Sequence, residues 1–393
     1  MKKICPFSIQ SSRSRRVALF LCSWVFFACG QNPIFFEISN EVEPKDPRIV
    51  GGPTKPVVFK DRLYVASGAI HRYNGSSRWE HTRGQPGNTK GLAVTGNFLY
   101  ALTISGAGLG SAELWKSADG GATWGNGSAA GTPIANETGY PYLQTIFGVR
   151  NILFVGARKS QNENAVLYMR EGDDKLSLLR EFPWDATGRT GGELRGADFL
   201  NGEYYIATTN RGIYANSDIE TLKTVGYLGF SVDTENNNNF NGLITVGNNT
   251  IIAVTSNGKI WYRNSGGGSS ITDSYANTSF TGALALWKAP GAAVNSLLLL
   301  GTEIGGGAYS YGYREILLSG GELGIADMSL KNPGETQPSS VNNYPRYNST
   351  IGKHSINGII QVPPAVDPAM ILFASTQKSG FWSYRNEEWN AEE

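Results

Sequence analysis

Leu63-Tyr64-Val65-Ala66-Ser67 is the stretch on which the reading of the fold turns, because it comes back six more times. It returns as Leu99-Tyr100-Ala101-Leu102-Thr103, Leu153-Phe154-Val155-Gly156-Ala157 and Tyr204-Tyr205-Ile206-Ala207-Thr208. It continues as Ile251-Ile252-Ala253-Val254-Thr255, Leu298-Leu299-Leu300-Gly301-Thr302 and Ile371-Leu372-Phe373-Ala374-Ser375. Each copy is a short apolar run that turns small near its end and usually closes on Ser or Thr. The copies recur every roughly 51 residues, and self-similarity at such a period marks a repeat architecture.

Working outward, a second strand with an aromatic near its middle follows each copy. Examples are Ala69-Ile70-His71-Arg72-Tyr73, Glu113-Leu114-Trp115-Lys116, Ala165-Val166-Leu167-Tyr168 and Gly258-Lys259-Ile260-Trp261. The sixth, Gly307-Ala308-Tyr309-Ser310-Tyr311, is looser. A strand of polar-Gly-apolar form precedes most copies, as in Lys90-Gly91-Leu92, Arg195-Gly196-Ala197, Asn241-Gly242-Leu243, Thr281-Gly282-Ala283 and Asn357-Gly358-Ile359, while Gln144-Thr145-Ile146 lacks the Gly. Three readable strands and a weaker outer one, repeated with small residues where inner strands crowd an axis, describe a blade. The expectation is an all-β β-propeller over residues 57–393 with about seven four-stranded blades, six or eight being the alternatives. A ring of blades hides the sheet edges that otherwise invite aggregation. An insertion at about 325–354, with Pro333, Pro338 and Pro345, reads as a surface loop.

The N-terminus reads differently. Lys2, Lys3, Arg13, Arg15 and Arg16 lead into an apolar run over residues 17–28, the form of a secretory signal peptide (1–28). Twelve apolar residues are short for a membrane span. All three cysteines, Cys5, Cys22 and Cys29, lie in the first 29 residues, so the rest of the chain has no disulfide framework or thiolate metal site. Residues 31–56, with five prolines and several charges, read as a solvated tether. Without the five leader cations, 29 of the 34 basic residues face 33 acids, a net charge of about −4 that argues against a nucleic-acid partner.

The segment Phe26-Phe27-Ala28-Cys29-Gly30 resembles a relaxed lipobox of the kind seen in spirochaetes and Bacteroidetes, with Phe26 where Leu is usual. The resemblance implies cleavage before Cys29 and lipidation of its thiol, so that 29–56 is a lipidated Cys and tether and the protein is an outer-membrane lipoprotein facing the periplasm or the exterior. Several acyl chains, at roughly 0.8 kcal/mol per buried methylene, anchor firmly.

Ser117-Ala118-Asp119-Gly120-Gly121-Ala122-Thr123-Trp124 is the most specific motif. It resembles the Asp-box, the Ser-x-Asp-x-Gly-x-Thr-Trp hairpin of bacterial neuraminidase (BNR) repeats, at Ser117, Asp119, Gly121, Thr123 and Trp124. In that family the box is structural. The physics agrees: a turn carboxylate accepts backbone N–H bonds, glycines permit positive φ, and Trp packs between sheets. Other copies carry degenerate turns, such as Arg72-Tyr73-Asn74-Gly75-Ser76-Ser77-Arg78-Trp79.

Sialidase-like propellers use an Arg-Ile-Pro motif, an arginine triad and a Tyr–Glu pair. Here Pro47-Arg48-Ile49-Val50 lacks the Pro and reads as tether; Arg195 is one candidate arginine, and Glu193, Asp198 and Glu303 are candidate carboxylates. A second and third arginine do not assemble, so no catalytic set is assigned. His71, His81 and His354 have no ligand spacing and read as surface residues; the acidic, Asn-rich stretch with Asp233 and Glu235 matches no calcium loop. No cofactor or metal is expected. Repeat alignment instead places Lys90, Gln144, Arg195, Asn241, Thr281 and Asn357 just before the inner strands, as a mostly polar axial pocket. The sequence therefore points to a non-enzymatic binding platform for envelope protein or glycan. A divergent glycoside hydrolase and an outer-membrane assembly scaffold are the alternatives.

Overall fold

The seven copies are strands, and each is the second strand of its own antiparallel sheet. The first sheet runs β1 (Val57–Phe59), β2 (Arg62–Ser67), β3 (Ala69–Tyr73), β4 (Trp79–His81); the second, β5 (Thr89–Val94), β6 (Leu99–Ile104), β7 (Ala112–Ser117). The third holds β8 (Tyr142–Val149), β9 (Ile152–Arg158), β10 (Asn164–Arg170), β11 (Ser177–Phe182); the fourth, β12 (Leu194–Leu200), β13 (Glu203–Thr208), β14 (Gly212–Asn216). The fifth has β15 (Phe240–Val246), β16 (Thr250–Thr255), β17 (Ile260–Asn264), β18 (Ser269–Ile271); the sixth, β19 (Ser279–Trp287), β20 (Leu297–Glu303), β21 (Tyr313–Leu317). The seventh ends the chain with β22 (Ile356–Gln361), β23 (Leu372–Thr376), β24 (Phe381–Arg385), β25 (Glu388–Ala391).

This computed structural model describes residues 49–393 outside 76–78, 83–85, 105–111, 128–129, 161, 184–190, 227, 229–238, 265–268, 272–278, 290, 304–311, 324–350, 352–353, 387 and 393. The expected signal peptide, Cys29, most of the tether, Asp233, Glu235 and most of the 325–354 insertion lie outside the described residues.

The copies read as unbroken apolar runs because both faces of each second strand are covered. Alternate side chains of a strand point to opposite faces. In β16, Ile251 and Ala253 pack toward the fourth sheet, with Tyr205 and Ile213. Ile252 and Val254 pack toward the sixth, with Phe280 and Leu298. Among the described residues, seven such apolar clusters each fill the seam between consecutive sheets. The last seam joins the seventh sheet to the first, through Phe373 and Phe381 against Leu63, Val65 and Tyr73, and so closes a ring.

The closing seam is also held by polar side chains. Trp79 Nε1 donates to Glu392 (2.7 Å), Tyr73 Oη donates to Asp367 (2.9 Å), and Arg385 ties Tyr73 (3.2 Å) to Glu392 (3.3 Å). The N-terminal residues take part: Ile49 is fully buried, and its carbonyl accepts from the Phe381 N–H (3.1 Å). The tether expected to reach Pro56 is therefore corrected, because residues 49–56 are already packed into the ring. At the other end of the expected surface loop, Ile351 is likewise buried, against the seventh sheet.

Two further differences concern the strands. The third strand of the sixth sheet is β21, not the 307–311 segment, which lies outside the described residues. Sheets two, four and six have three strands among the described residues. In the second sheet the outer place is taken by a two-bond bridge between Lys116 and Gly125. In the fourth it is taken by the single turn of 3₁₀ helix Thr221–Lys223 and by the Leu228 N–H donated to the Ile213 carbonyl (2.8 Å).

Candidate functional site: a ring of bulges around the axis

The first strand of each sheet is innermost, and adjacent first strands approach with almost no space between backbones. A Cβ on Gly242 would sit 2.6 Å from the Gly282 Cα, and one on Gly196 2.8 Å from the Leu243 backbone nitrogen. A Cβ on Gly358 would sit 2.7 Å from the Lys55 Cα. This is the physical reason for the polar-Gly-apolar signature: at Gly196, Gly242 and Gly358 the neighbouring strand leaves no room for a Cβ.

The polar residue before that glycine has its own cause. The ladder slips by one residue in β5 between Thr89 and Gly91, in β12 between Leu194 and Gly196, in β15 between Phe240 and Gly242, and in β22 between Ile356 and Gly358. In β8 it slips between Leu143 and Thr145, and in β19 between Phe280 and Leu284. Lys90, Gln144, Arg195, Asn241, Thr281 and Asn357 therefore all lie inside the inner strands, not before them, and each stands in a β-bulge. A bulge leaves its extra residue outside the ladder and re-aims the side chain. The six residues share one level of the ring, at the end where the inner strands begin.

Lys55 is the seventh member, which the sequence reading missed. The Thr54 N–H donates to the Ala66 carbonyl (2.7 Å), while Val57 pairs with Tyr64, so Lys55 occupies the bulge of β1. Pro56 stands where the other strands carry glycine and hid the match; Lys55-Pro56-Val57 aligned on Lys90-Gly91-Leu92 was the available signal.

The ring divides by what its side chains do. Asn241 Nδ2 donates to the Phe280 carbonyl (2.7 Å), Asn357 Nδ2 to the Pro53 carbonyl (2.7 Å), and Thr145 Oγ1 to the Leu194 carbonyl (2.9 Å). Each of these bonds ties one sheet to the next. Thr281 accepts from the Ala283 N–H (3.3 Å). Lys90 is exposed and Gln144 half-buried. Arg195 pairs with Glu193 two residues earlier. Lys55 reaches across the axis: its Nζ donates to the Gly282 carbonyl of the sixth sheet (3.0 Å) and lies 5.4 Å from the centre of the Phe147 ring of the third. Burial, and then the nearby Arg195 charge, lower its pKa to about 8.

The carboxylates offered for glycosidic chemistry do not converge. Glu193 is engaged by Arg195. Asp198 lies near the far end of β12 and accepts from the Phe199 N–H (2.8 Å) and the Thr245 N–H (2.6 Å); burial holds its pKa above the ordinary range. Glu303 is exposed at the end of β20.

The 117–124 turn lies on the rim, between the first and second sheets. Asp119 Oδ1 accepts from Ser117 Oγ (2.8 Å) and from the N–H groups of Ala122 (3.0 Å) and Thr123 (2.9 Å), while Oδ2 accepts from Thr123 Oγ1 (2.6 Å). Gly121 has φ +87° and donates its N–H to Ser117 Oγ (2.8 Å). Trp124 is buried against Phe59, Tyr64 and Trp115. Partial burial opposes ionisation of Asp119, but the bonds from Thr123, Ser117 and Ala122 outweigh it and hold the pKa near about 2. A rim cleft of about 540 Å³ beside this turn holds Arg72 and Glu80, which neutralise each other at 2.7 Å.

Of the three histidines expected at the surface, His71 is corrected, while His81 is exposed and His354 half-buried. His71 is buried, and the β3–β4 ladder sets His71 opposite His81 with ring centres 4.5 Å apart. His354 stacks on Trp382 at 5.9 Å. No group of three or more metal-ligating side chains occurs among the described residues.

No family model matches the chain, and no curated protein matches it in sequence. Solved structures do match its shape. The WD40 beta propeller domain of Doa1 superposes with a TM-score of 0.50 at 10% identity, over 87% of this chain and 95% of that one. The extracellular domain of the one component system BT4673 from B. thetaiotaomicron gives 0.54 at 16% identity, over 87% of this chain but only 40% of that one. A chain of the Mitotic Checkpoint Complex gives 0.52 at 10% identity, over 89% of this chain and 92% of that one. At these identities the likeness speaks for the fold alone: the protein is all-β, a β-propeller of antiparallel sheets set around one axis.

Proposed function

We propose that this protein is an exported lipoprotein, anchored through Cys29 at the outer membrane, whose propeller is a non-enzymatic platform that binds another envelope protein. The observation that carries the reading is the ring of bulges. Seven residues stand in bulges at one end of one axis, three of them cationic, and the Asn241 and Asn357 amides and the Lys55 ammonium tie sheets together. A rigid ring with a polar rosette at its centre offers a preorganised contact surface, and preorganisation lowers the ordering cost of binding. The 117–124 turn supports the same reading as a rim fastening of the Asp-box kind, with its polar atoms turned inward on one another.

The test is photo-crosslinking in the intact envelope of the source cell, with the crosslinker placed at Lys90 in the ring or at Lys378 in the loop between β23 and β24. A discrete protein adduct from Lys90 and none from Lys378 is the expected result. The absence of any adduct at Lys90 would refute the platform. Metabolic labelling with a fatty acid, lost in Cys29→Ala, tests the anchor separately.

A further inference from the structure

We propose that Lys55 and Arg195 form an anion-receiving site on the propeller axis, and that its occupant is a carboxylate side chain presented by an acidic protein segment. This rests on the platform reading and names what that platform recognises.

The case begins with charge. Lys55 and Arg195 come from the first and fourth sheets, and each occupies its strand's bulge at the same level of the ring. Buried like charges repel, and partly buried cations persist when an anion compensates them. One carboxylate, Glu193, is engaged at Arg195. The Lys55 ammonium has three N–H donors, and one goes to the Gly282 carbonyl at 3.0 Å. Arg195 Nε is buried and has no hydrogen-bond partner among the described residues. The donor set is thus in excess, and the excess is cationic. Lys90, exposed at the same level, extends the positive field toward an approaching ligand.

The remaining chemistry favours an acidic peptide over a glycan. Sugars are gripped by open aromatic faces and by amides that both donate and accept. Here the Phe147 ring already faces the Lys55 ammonium, and the Asn241 and Asn357 amides are bonded to neighbouring sheets. The cations, with the Gln144 amide beside them, are the groups left to recognise something, and a carboxylate matches the guanidinium fork, the ammonium and an amide N–H.

The test is fluorescence anisotropy with labelled hexaglutamate and the full-length chain, with hexalysine as control and hexagalacturonate as competitor. Hexaglutamate is expected to bind, more weakly as salt is added, and hexalysine is not. Lys55→Met and Arg195→Gln should each weaken binding by about tenfold or more, while both variants melt at or above the wild-type temperature. Arg195 is the second probe in case the Lys55 variant fails to fold. Wild-type protein that ignores hexaglutamate, or folded variants that bind it as wild type does, would overturn the site. Tighter binding of hexagalacturonate would overturn the peptide assignment. A Lys90 crosslink in the envelope that survives in the Lys55→Met, Arg195→Gln double variant would leave the platform standing and remove this site from it.

Discussion

The rim turn at Asp119 and the axial ring at Lys55 are both clusters of polar groups in an apolar framework, and they handle polarity in opposite ways. Within the 117–124 turn the donors around Asp119 find their acceptor two to four residues away, and the carboxylate is held ionised by bonds from Thr123, Ser117 and Ala122. At the axis the charges come from sheets far apart in sequence, and the Arg195 charge acts on Lys55 with one carboxylate, Glu193, paired to Arg195. A cluster that satisfies itself is a fastening. A cluster with an excess of one charge is incomplete by itself, and that incompleteness is what a ligand can answer.

The contrast can be broken by substitution. Trp124→Ala removes the ring that the rim turn buries against Phe59, Tyr64 and Trp115. It should cost about 3–5 kcal/mol, read as a fall in the denaturant midpoint. Asp119→Ala removes a four-bond acceptor whose partners can turn to water, and should cost about 1–2 kcal/mol. Asn241→Ala leaves the half-buried Phe280 carbonyl without its bond across the fifth and sixth sheets and should cost about 1 kcal/mol. Lys55→Met should go the other way, neutral or stabilising by up to about 1 kcal/mol, because it removes a poorly compensated charge. A large loss there would mean that Lys55 is a fastening like Asp119 and would dissolve the contrast.

The pH dependence sharpens it further, with smaller effects. Asp119 has its pKa lowered from the ordinary 3.8 to about 2, so the folded state prefers the ionised form. Its contribution is fully present above the unfolded value and is lost as pH falls from about 4 toward 2. Lys55 has its pKa lowered from 10.5 to about 8, so the unfolded chain binds the proton more tightly. Folding therefore gains stability as pH rises from about 8 to 10.5. Melts across both windows should lose the acid-limb change in Asp119→Asn and the alkaline-limb change in Lys55→Met.

The repeat itself was legible because its cause is local. A second strand covered on both faces must be an apolar run, and the seven runs quoted from the sequence became the second strands of seven sheets. The first strands were legible for the same reason, through the glycine that close backbone approach demands. Lys55 was not legible as one of them, because Pro56 stands in the glycine's place and the preceding residues read as tether. Nor was the pairing of His71 with His81, which needs the hairpin ladder to bring residues ten apart into contact.

What the amino-acid order determined by itself is therefore the blade and its repetition, since side-chain alternation, glycine at close approach and turn chemistry act over a few residues. What tertiary structure alone decided is the meeting at the axis. Lys55, Phe147, Arg195 and Gly282 come from four different sheets and share one point because the ring closes through Glu392, Arg385 and Ile49. Closure is a global event, so the charge it gathers there belongs to no local stretch of sequence.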